Sequence, residues 1–249
     1  MSQQNPQGVA VANLTKSFAE LTVLDNISFS IARGELLAFV GPTGCGKTTF
    51  LNCLAGLTPP TSGSILIDGV PADPTRHNLA YVFQEPTALP WLTVRENIAY
   101  GMRIKRLGAR VIRERLDTIM ALVGLADMGD LYPNQISASM MQRVAVARAF
   151  AVEPDLLLMD EPYGQMDIKL RFYLEDELVR LWDTLKSTVL FVTHNIEEAV
   201  YIADRIIILT PKPTTVRSEI VVDLPRPRDV MAPEFLAIRR EVTELIRWW

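Results

Sequence analysis

The chain has 249 residues, 49% of them hydrophobic, and a formal net charge of −4. This length and composition can bury a substantial core, which we expect to form two lobes of one functional unit, whereas the acidic balance argues against a protein that binds nucleic acid. No apolar run approaches the roughly 20 residues that span a bilayer, and residues 1–8 are polar, so we expect a flexible N-terminus, no signal region and a cytosolic chain.

Strand and helix patterns alternate along the first part of the chain. Apolar runs bounded by turn residues predict strands at residues 9–14, 22–31, 36–40, 64–68 and 79–84. The strand that ends at Val40 is followed by a glycine-rich turn and then by a helix-like run from Thr49 to Leu57. This order is typical of an α/β protein.

The glycine-rich turn carries the clearest chemical signal. It reads Gly41-Pro42-Thr43-Gly44-Cys45-Gly46-Lys47-Thr48, followed by Thr49, and matches the phosphate-binding P-loop pattern. Glycines let the backbone approach an anion closely, and the amide groups at the start of the helix supply positive potential. Lys47 is expected to reach the terminal phosphates, and the Thr48 hydroxyl to ligate Mg²⁺. Because strand, loop and helix follow in this order, the turn predicts a nucleotide site.

Helical patterns replace the strands over about residues 86–153 and predict an inserted α-helical lobe. The capping box Thr93-Val94-Arg95-Glu96 starts one helix, residues 109–123 carry a second, and the segment after Ile136 starts a third. Beyond this lobe, alternation returns. It predicts a helix over residues 168–185 and strands at 156–160, 189–193 and 205–210.

Two adjacent carboxylates, Asp160 and Glu161, end the apolar strand that begins at Leu156. Strands of a parallel sheet present their carboxyl ends at one edge, so these acids are expected to face the phosphates. Asp160 would then hold the Mg²⁺ shell, and Glu161 would orient and deprotonate an attacking water. The alternative is a polar turn before Pro162, and the P-loop upstream favours the nucleotide site.

The end of the chain predicts an amphipathic helix. Apolar residues recur there at spacings of three and four, at Phe235, Ile238, Val242, Leu245 and Trp249. We expect this face to pack on its own domain, with a contact to a partner or to a second copy as the alternative. The segment Pro225-Arg226-Pro227 before it is interpreted as a spacer.

Together these motifs resemble the nucleotide-binding subunit of an ATP-binding cassette (ABC) transporter, over about residues 9–225. The resemblance implies a P-loop NTPase fold with a RecA-like core, an antiparallel β subdomain and the α-helical subdomain, followed by a C-terminal extension at 226–249. It implies ATP and Mg²⁺ as cofactors. It also implies a second cassette in a homodimer or heterodimer, transmembrane permease subunits, and indirectly an extracytoplasmic substrate-binding protein, with the chain peripheral at the cytoplasmic face of the membrane.

Three single residues match family positions. Gln84 matches the Q-loop glutamine, which contacts Mg²⁺ and water, with a surface amide as the alternative. His194 matches the switch histidine, which contacts the γ-phosphate, and it precedes an Asn195-x-x-Glu198 helix start of capping-box type. Phe18 lies where the family places an aromatic ring that stacks on adenine, with a core aromatic as the alternative.

The signature segment departs from the family pattern, which reads roughly Leu-Ser-Gly-Gly-Gln and completes the ATP site of the opposite subunit. Here it reads Ile136-Ser137-Ala138-Ser139-Met140, so Ser137 is kept and both glycines are replaced.

The added Cβ atoms at Ala138 and Ser139 restrict positive φ, and they also hinder a close approach of the backbone to the phosphate. Losing one well-aimed donor can cost about 3 kcal/mol. We therefore expect weakened or asymmetric hydrolysis at a working site, with a poorly hydrolysing, ATP-sensing cassette as the alternative, alone or in a heterodimer.

A second departure is the loop Tyr163-Gly164-Gln165-Met166-Asp167, which keeps the family's Asp167 but carries Gln165 in place of a small residue.

A resemblance to the importers for nitrate, sulfonate, taurine and related small anions is carried by Leu89-Pro90-Trp91 and the following Thr93-Val94-Arg95-Glu96-Asn97-Ile98. A soluble ABC ATPase of DNA repair or translation would normally carry a long coiled-coil insertion or two tandem cassettes, and the sequence shows neither.

Overall fold

The computed structural model describes residues 8–164, 166 and 168–246. The strands of this part of the chain are β1 (Gly8–Phe18), β2 (Leu21–Ala32), β3 (Leu36–Val40), β4 (Ser62–Ile67), β5 (Val70–Pro71), β6 (Leu79–Val82), β7 (Leu156–Asp160), β8 (Val189–Thr193), β9 (Arg205–Leu209) and β10 (Val216–Val221). Its α-helices are α1 (Lys47–Leu54), α2 (Val94–Ile104), α3 (Ala109–Leu122), α4 (Ala138–Ala151), α5 (Ile168–Leu185), α6 (Ile196–Ile202) and α7 (Pro233–Ile246).

The main sheet has six strands in the order β10-β9-β3-β8-β7-β6. Its strands are parallel except for β10, which pairs antiparallel with β9. Every residue of β3, β7 and β8 is buried, as expected for strands covered on both faces. Because β3, β7 and β8 are parallel neighbours, the segments that follow Val40, Asp160 and Thr193 meet at one edge of the sheet.

A second, antiparallel sheet has the order β2-β1-β4-β5. Its inner face shares a core with the main sheet and α1, in which the rings of Phe39 and Phe50 stack at 5.0 Å and Phe29 lies 4.9 Å from Phe39. The expected RecA-like core with an antiparallel β subdomain is therefore the architecture observed. Among the helices of the described residues, none combines the length and the apolar character that crossing a membrane would require.

Helices α2, α3 and α4 form the inserted lobe, and Thr93 and Glu96 cap α2 reciprocally as predicted. Asn97 is fully buried and fixes the preceding loop. Its amide donates to the carbonyl groups of Leu89, Leu92 and Thr93, and its oxygen accepts from the Leu89 N–H. These four hydrogen bonds hold a rigid loop on which Trp91, 69% exposed, faces solvent.

Several predicted boundaries were wrong for local reasons. The helix predicted from Thr49 begins at Lys47, because Gly46 with φ of 112° serves as its N-cap residue. The strand predicted to reach Gln84 ends at Val82, which leaves Gln84 in a loop. The short strand β5 and the edge strand β10 were not predicted.

The C-terminal segment packs on its own domain. Phe235 and Val242 of α7 are buried in the main core, and Arg239 forms an ion pair of 2.6 Å with Glu197 of α6. Trp249 lies outside the described residues.

The segment interpreted as a spacer is instead tied to α6. Arg228 is 7% exposed, and its guanidinium donates to the carbonyl groups of Val200, Tyr201 and Ala203 at the end of that helix. Arg226 donates to the Ile202 carbonyl and pairs with Asp204 at 2.8 Å. The carbonyl groups of the last helical turn have no partner within the helix, and these arginines supply the missing hydrogen-bond donors. Because the segment is fixed to α6 in this way, the spacer interpretation is wrong.

Two acids are buried where α5 meets α6. Glu175 is 1% and Glu198 is 4% exposed, and each has one carboxylate oxygen without a hydrogen-bond partner among the described residues. Burial, reinforced by the charge of Glu198, raises the pKa of Glu175 to about 8. Burial also raises the pKa of Glu198 to about 7, against the hydrogen bond from the Thr193 hydroxyl. Glu175 is therefore expected to remain protonated at neutral pH.

Candidate nucleotide site

The P-loop folds as a tight turn that only glycine accommodates at two positions. Gly44 and Gly46 have φ of 77° and 112°, in the left-handed region. A Cβ atom at Gly46 would lie 2.7 Å from Val23 Cγ1, so a side chain there would also clash. The first turn of α1 carries no acidic residue, which leaves the positive potential of the helix start available to an anion.

Lys47 is held above this turn. Its Nζ donates to the carbonyl groups of Gly41 and Pro42, at 3.0 Å each, and lies 3.2 Å from Glu161 Oε1. The side chain is 5% exposed. The ammonium group is thus placed between the P-loop and the carboxylate that follows β7, beside the turn where the P-loop pattern predicts phosphates.

Asp160 accepts two hydroxyl hydrogen bonds on the same oxygen. Thr48 Oγ1 donates to Asp160 Oδ2 at 2.7 Å, and the Tyr81 hydroxyl donates to it at 3.3 Å. Burial raises the pKa of Asp160, and the hydrogen bond from Thr48 opposes this shift. A hydroxyl beside a carboxylate is the oxygen donor set that suits Mg²⁺, so these residues fit the predicted metal site. The sequence did not point to Tyr81.

Glu161 lies between Lys47 and His194. Its second oxygen is 2.8 Å from His194 Nδ1. Its backbone has φ of 44°, uncommon for a residue with a side chain, and its N–H donates to the Val192 carbonyl at 2.8 Å. Such an outlier held in place by its surroundings is typical of functional positions. Nothing in the sequence could have predicted this backbone conformation.

His194 is exposed at the start of α6, so its ring faces the open side of the site. The side chain of Asn195 caps the helix, accepting from the N–H groups of Glu197 and Glu198. The predicted capping box is only half formed, because the Glu198 carboxylate receives the Thr193 hydroxyl instead of returning to the cap. The hydrogen bond from Thr193 to Glu198 therefore connects the residue before His194 with the two buried acids, Glu175 and Glu198.

Other predicted site residues are placed as follows. Gln84 is exposed in a bend two residues beyond β6, where the pairing of that strand with β7 has already ended. Phe18 is half exposed at the end of β1, with Lys16 Nζ 4.8 Å from its ring centre. Its ring is therefore not part of the core.

Cys45, in the P-loop, is buried, and burial raises the pKa of its thiol. Gln165 and Asp167 lie outside the described residues.

The altered signature starts α4, as predicted. Ser137 is its N-cap residue, and its Oγ accepts from the Met140 N–H at 3.3 Å and lies 2.9 Å from Ser139 Oγ. Neither Ala138 nor Ser139 has positive φ, so the backbone here does not use the conformation that a Cβ atom restricts. In the described residues no hydrogen bond joins this helix start to the P-loop of the same chain, and the two parts of the predicted ATP site stay separate here.

Residues 24–164 match the model of one protein family, described as "ABC transporter". That segment contains the P-loop, the altered signature and the two carboxylates Asp160 and Glu161. The chain belongs to the ABC transporter family. As a member, it is an ATP-binding cassette with the ATPase activity that this family couples to transport.

Relatives match this ABC cassette over nearly its full length. An uncharacterized ABC transporter ATP-binding protein of Methanocaldococcus jannaschii is 40% identical over 95% of this chain and 90% of its own. The aliphatic sulfonates import ATP-binding protein of Bacillus subtilis is 40% identical over 89% of this chain and 86% of its own. A solved dimeric ATP-binding cassette in a post-hydrolysis state with ADP and phosphate superposes with a TM-score of 0.74 at 30% identity, covering 87% of this cassette and all of that chain.

Proposed function

We propose that this ABC ATPase powers import of small organic anions of the sulfonate type. Relatives named for aliphatic sulfonate import support the substrate class. The fixed loop that exposes Trp91 supports attachment to permease subunits, because an aromatic ring held at the surface is a suitable anchor for a partner. The cassette would then work at the cytoplasmic face of the membrane, with an extracytoplasmic binding protein supplying the anion.

The contacts of Glu161 carry the catalytic part of the proposal. With ATP on the P-loop, a water oxygen attacks the γ-phosphorus, its proton passes to the Glu161 carboxylate, and the bond to the ADP oxygen breaks. His194, 2.8 Å from Glu161, orients that carboxylate and the γ-phosphate, and Gln84 positions the water. Lys47 and the P-loop amides hold the phosphates. When bound to Thr48, Asp160 and Gln84, Mg²⁺ would neutralise charge on the phosphate oxygens.

We propose further that two cassettes close on two ATP molecules, with Phe18 stacked on adenine. Each P-loop would face the start of α4 in the other subunit, where Ser137, Ala138 and Ser139 offer hydroxyl and N–H donors. The dimeric form of a solved cassette that resembles this chain supports the arrangement. Closure would move the attached permease subunits, and hydrolysis would reopen the dimer.

The altered signature is compatible with hydrolysis. Because Ala138 and Ser139 have ordinary backbone angles, the helix start keeps its N–H groups without strain. The hydroxyl of Ser139 lies 2.9 Å from that of Ser137 and adds a donor that a glycine lacks. The cost that remains is the bulk of two Cβ atoms between the helix and a phosphate.

Restoring both glycines tests this interpretation. The double variant Ala138→Gly with Ser139→Gly is expected to raise kcat for ATP hydrolysis by about tenfold, less than removal of a well-aimed donor costs, because Ser139 already compensates in part. Phosphate release at saturating ATP measures the effect. The thermal midpoint is expected to fall, since each glycine near the helix start adds conformational freedom to the unfolded chain.

The single variant Ser139→Ala is the matched control, because it keeps the Cβ atom and removes only the hydroxyl. It is expected to hydrolyse ATP more slowly than the wild type. A silent wild type that turns over only after both glycines are restored would instead identify an ATP-sensing cassette and contradict the proposed hydrolysis.

A further inference from the structure

Tyr81 connects the edge of the main sheet with the nucleotide site. It is the third residue of β6, where it pairs with Leu158 of β7, two residues before Asp160. The two strands are parallel, so a side chain long enough to reach forward can contact the end of the neighbouring strand. The phenol spans this distance, and its hydroxyl lies 3.3 Å from Asp160 Oδ2.

Two donors on a single oxygen constrain the Asp160 carboxylate. Thr48 donates to Oδ2 from α1 and Tyr81 donates to it from β6, so the group is held from two different elements. In the described part of the chain no hydrogen bond reaches Oδ1. A carboxylate fixed in this way keeps its plane and leaves the second oxygen free for a metal ion or a metal-bound water.

The tyrosine ring is itself held in place. It stacks on Phe83 with ring centres 4.3 Å apart and planes inclined by 20°. The side chain also packs against the apolar core shared by α1 and the two sheets. Loss of the hydroxyl alone would therefore leave the ring in position and the core intact, which makes the hydrogen bond separable from the packing.

We propose that Tyr81 is a positioning residue for the metal-ligating carboxylate of Asp160. This inference rests on the proposed role of Asp160 in holding Mg²⁺. Partners of metal ligands fix the orientation of those ligands, and their loss weakens metal binding by one to two orders of magnitude. At 3.3 Å the Tyr81 hydrogen bond is long, so the effect is expected near the lower end of that range.

The variant Tyr81→Phe tests the inference through metal binding, with Mn²⁺ as the probe ion. Electron paramagnetic resonance measures the dissociation constant of Mn²⁺ with ADP bound, and a fluorescent ADP analogue measures nucleotide affinity in EDTA. Tyr81→Phe is expected to weaken Mn²⁺ binding about tenfold and to change nucleotide affinity in EDTA less than twofold. A merely structural role would alter both values.

Tyr201→Phe is the matched control, because it removes another tyrosine hydroxyl bonded to an aspartate, here Asp176 at 2.5 Å. It is expected to bind Mn²⁺ and nucleotide like the wild type. Equal Mn²⁺ affinity of Tyr81→Phe and the wild type would overturn the inference while the proposed metal site stands. A wild type that binds ADP but shows no Mn²⁺ binding would instead overturn the metal site itself.

Discussion

Replacing Glu161 by glutamine is expected to lower kcat for ATP hydrolysis by about a thousandfold, within the range for loss of a general base. The amide has nearly the same shape, but it cannot accept the proton of the attacking water. It also ends the ion pair with Lys47 at 3.2 Å, which leaves the lysine free for the phosphates. ATP affinity is therefore expected to stay equal or rise. Single-turnover phosphate release and equilibrium ATP binding measure the two effects separately.

Glu153 provides a matched control for this variant. It is an exposed glutamate that also has positive φ, 46°, and it pairs with Arg115 at 2.7 Å, outside the predicted nucleotide site. Glu153→Gln is expected to leave kcat within twofold of the wild type. If Glu161→Gln still hydrolysed ATP within tenfold of the wild-type rate, the assignment of Glu161 as the general base would be wrong.

Buried Glu175 is expected to make the free energy of unfolding depend on pH. An unfolded glutamate ionises near pH 4.5, whereas folded Glu175 keeps its proton to about pH 8. The folded state therefore binds the extra proton, and stability is expected to fall as pH rises through this window. Glu175→Gln is expected to remove the share of that fall that Glu175 contributes, while Glu198, whose pKa is also raised, keeps its own share. At pH 9 the variant should be more stable than the wild type by on the order of 3 kcal/mol.

Urea unfolding at several pH values between 5 and 9 measures this difference. Glu241→Gln, on the exposed side of α7, is the control, and its stability is expected to follow the wild-type curve. Parallel curves for Glu175→Gln and the wild type would show that Glu175 ionises normally in the folded protein. In that case the charge of Arg171, which lowers the pKa of Glu175, would outweigh the effect of burial, which raises it.

The main architecture could be predicted because local pattern and tertiary environment agree. The strand at Leu36–Val40 is continuously apolar, and it is buried on both faces between two other strands. The strand Val216–Val221 was missed because it lies at the sheet edge, where only one side is covered and polar residues such as Ser218 and Glu219 are tolerated. The exposed and polar positions of β10 therefore interrupt the apolar pattern by which the buried strands were predicted.

Site residues were predicted where a local motif specifies them, and missed where the fold brings them in. The P-loop, Asp160 and Glu161 are contiguous patterns. Tyr81 joins the site through strand register, and its distance from Asp160 along the chain hides the contact. Arg226 was assigned to a spacer for the same reason, because the carbonyl group of Ile202, to which it donates, belongs to a helix that ends 24 residues earlier.

The departure of the signature illustrates a different limit. From sequence, replacement of two glycines suggested that Cβ atoms would restrict positive φ and the close approach of the backbone to a phosphate. In the structure Ala138 and Ser139 continue a regular helix from the Ser137 cap, and strain is absent. The choice of residue type alone could not separate the two uses of glycine, conformational freedom and small size.

ATP hydrolysis by this cassette, assembled with its permease subunits and binding protein in lipid vesicles, tests the proposed transport function when it is measured with and without a short alkanesulfonate. The proposed function predicts turnover that the sulfonate stimulates severalfold and that Glu161→Gln abolishes. Turnover that responds to no small anion would contradict the proposed substrate class. A wild-type assembly that binds ATP without releasing phosphate would contradict the transport ATPase itself.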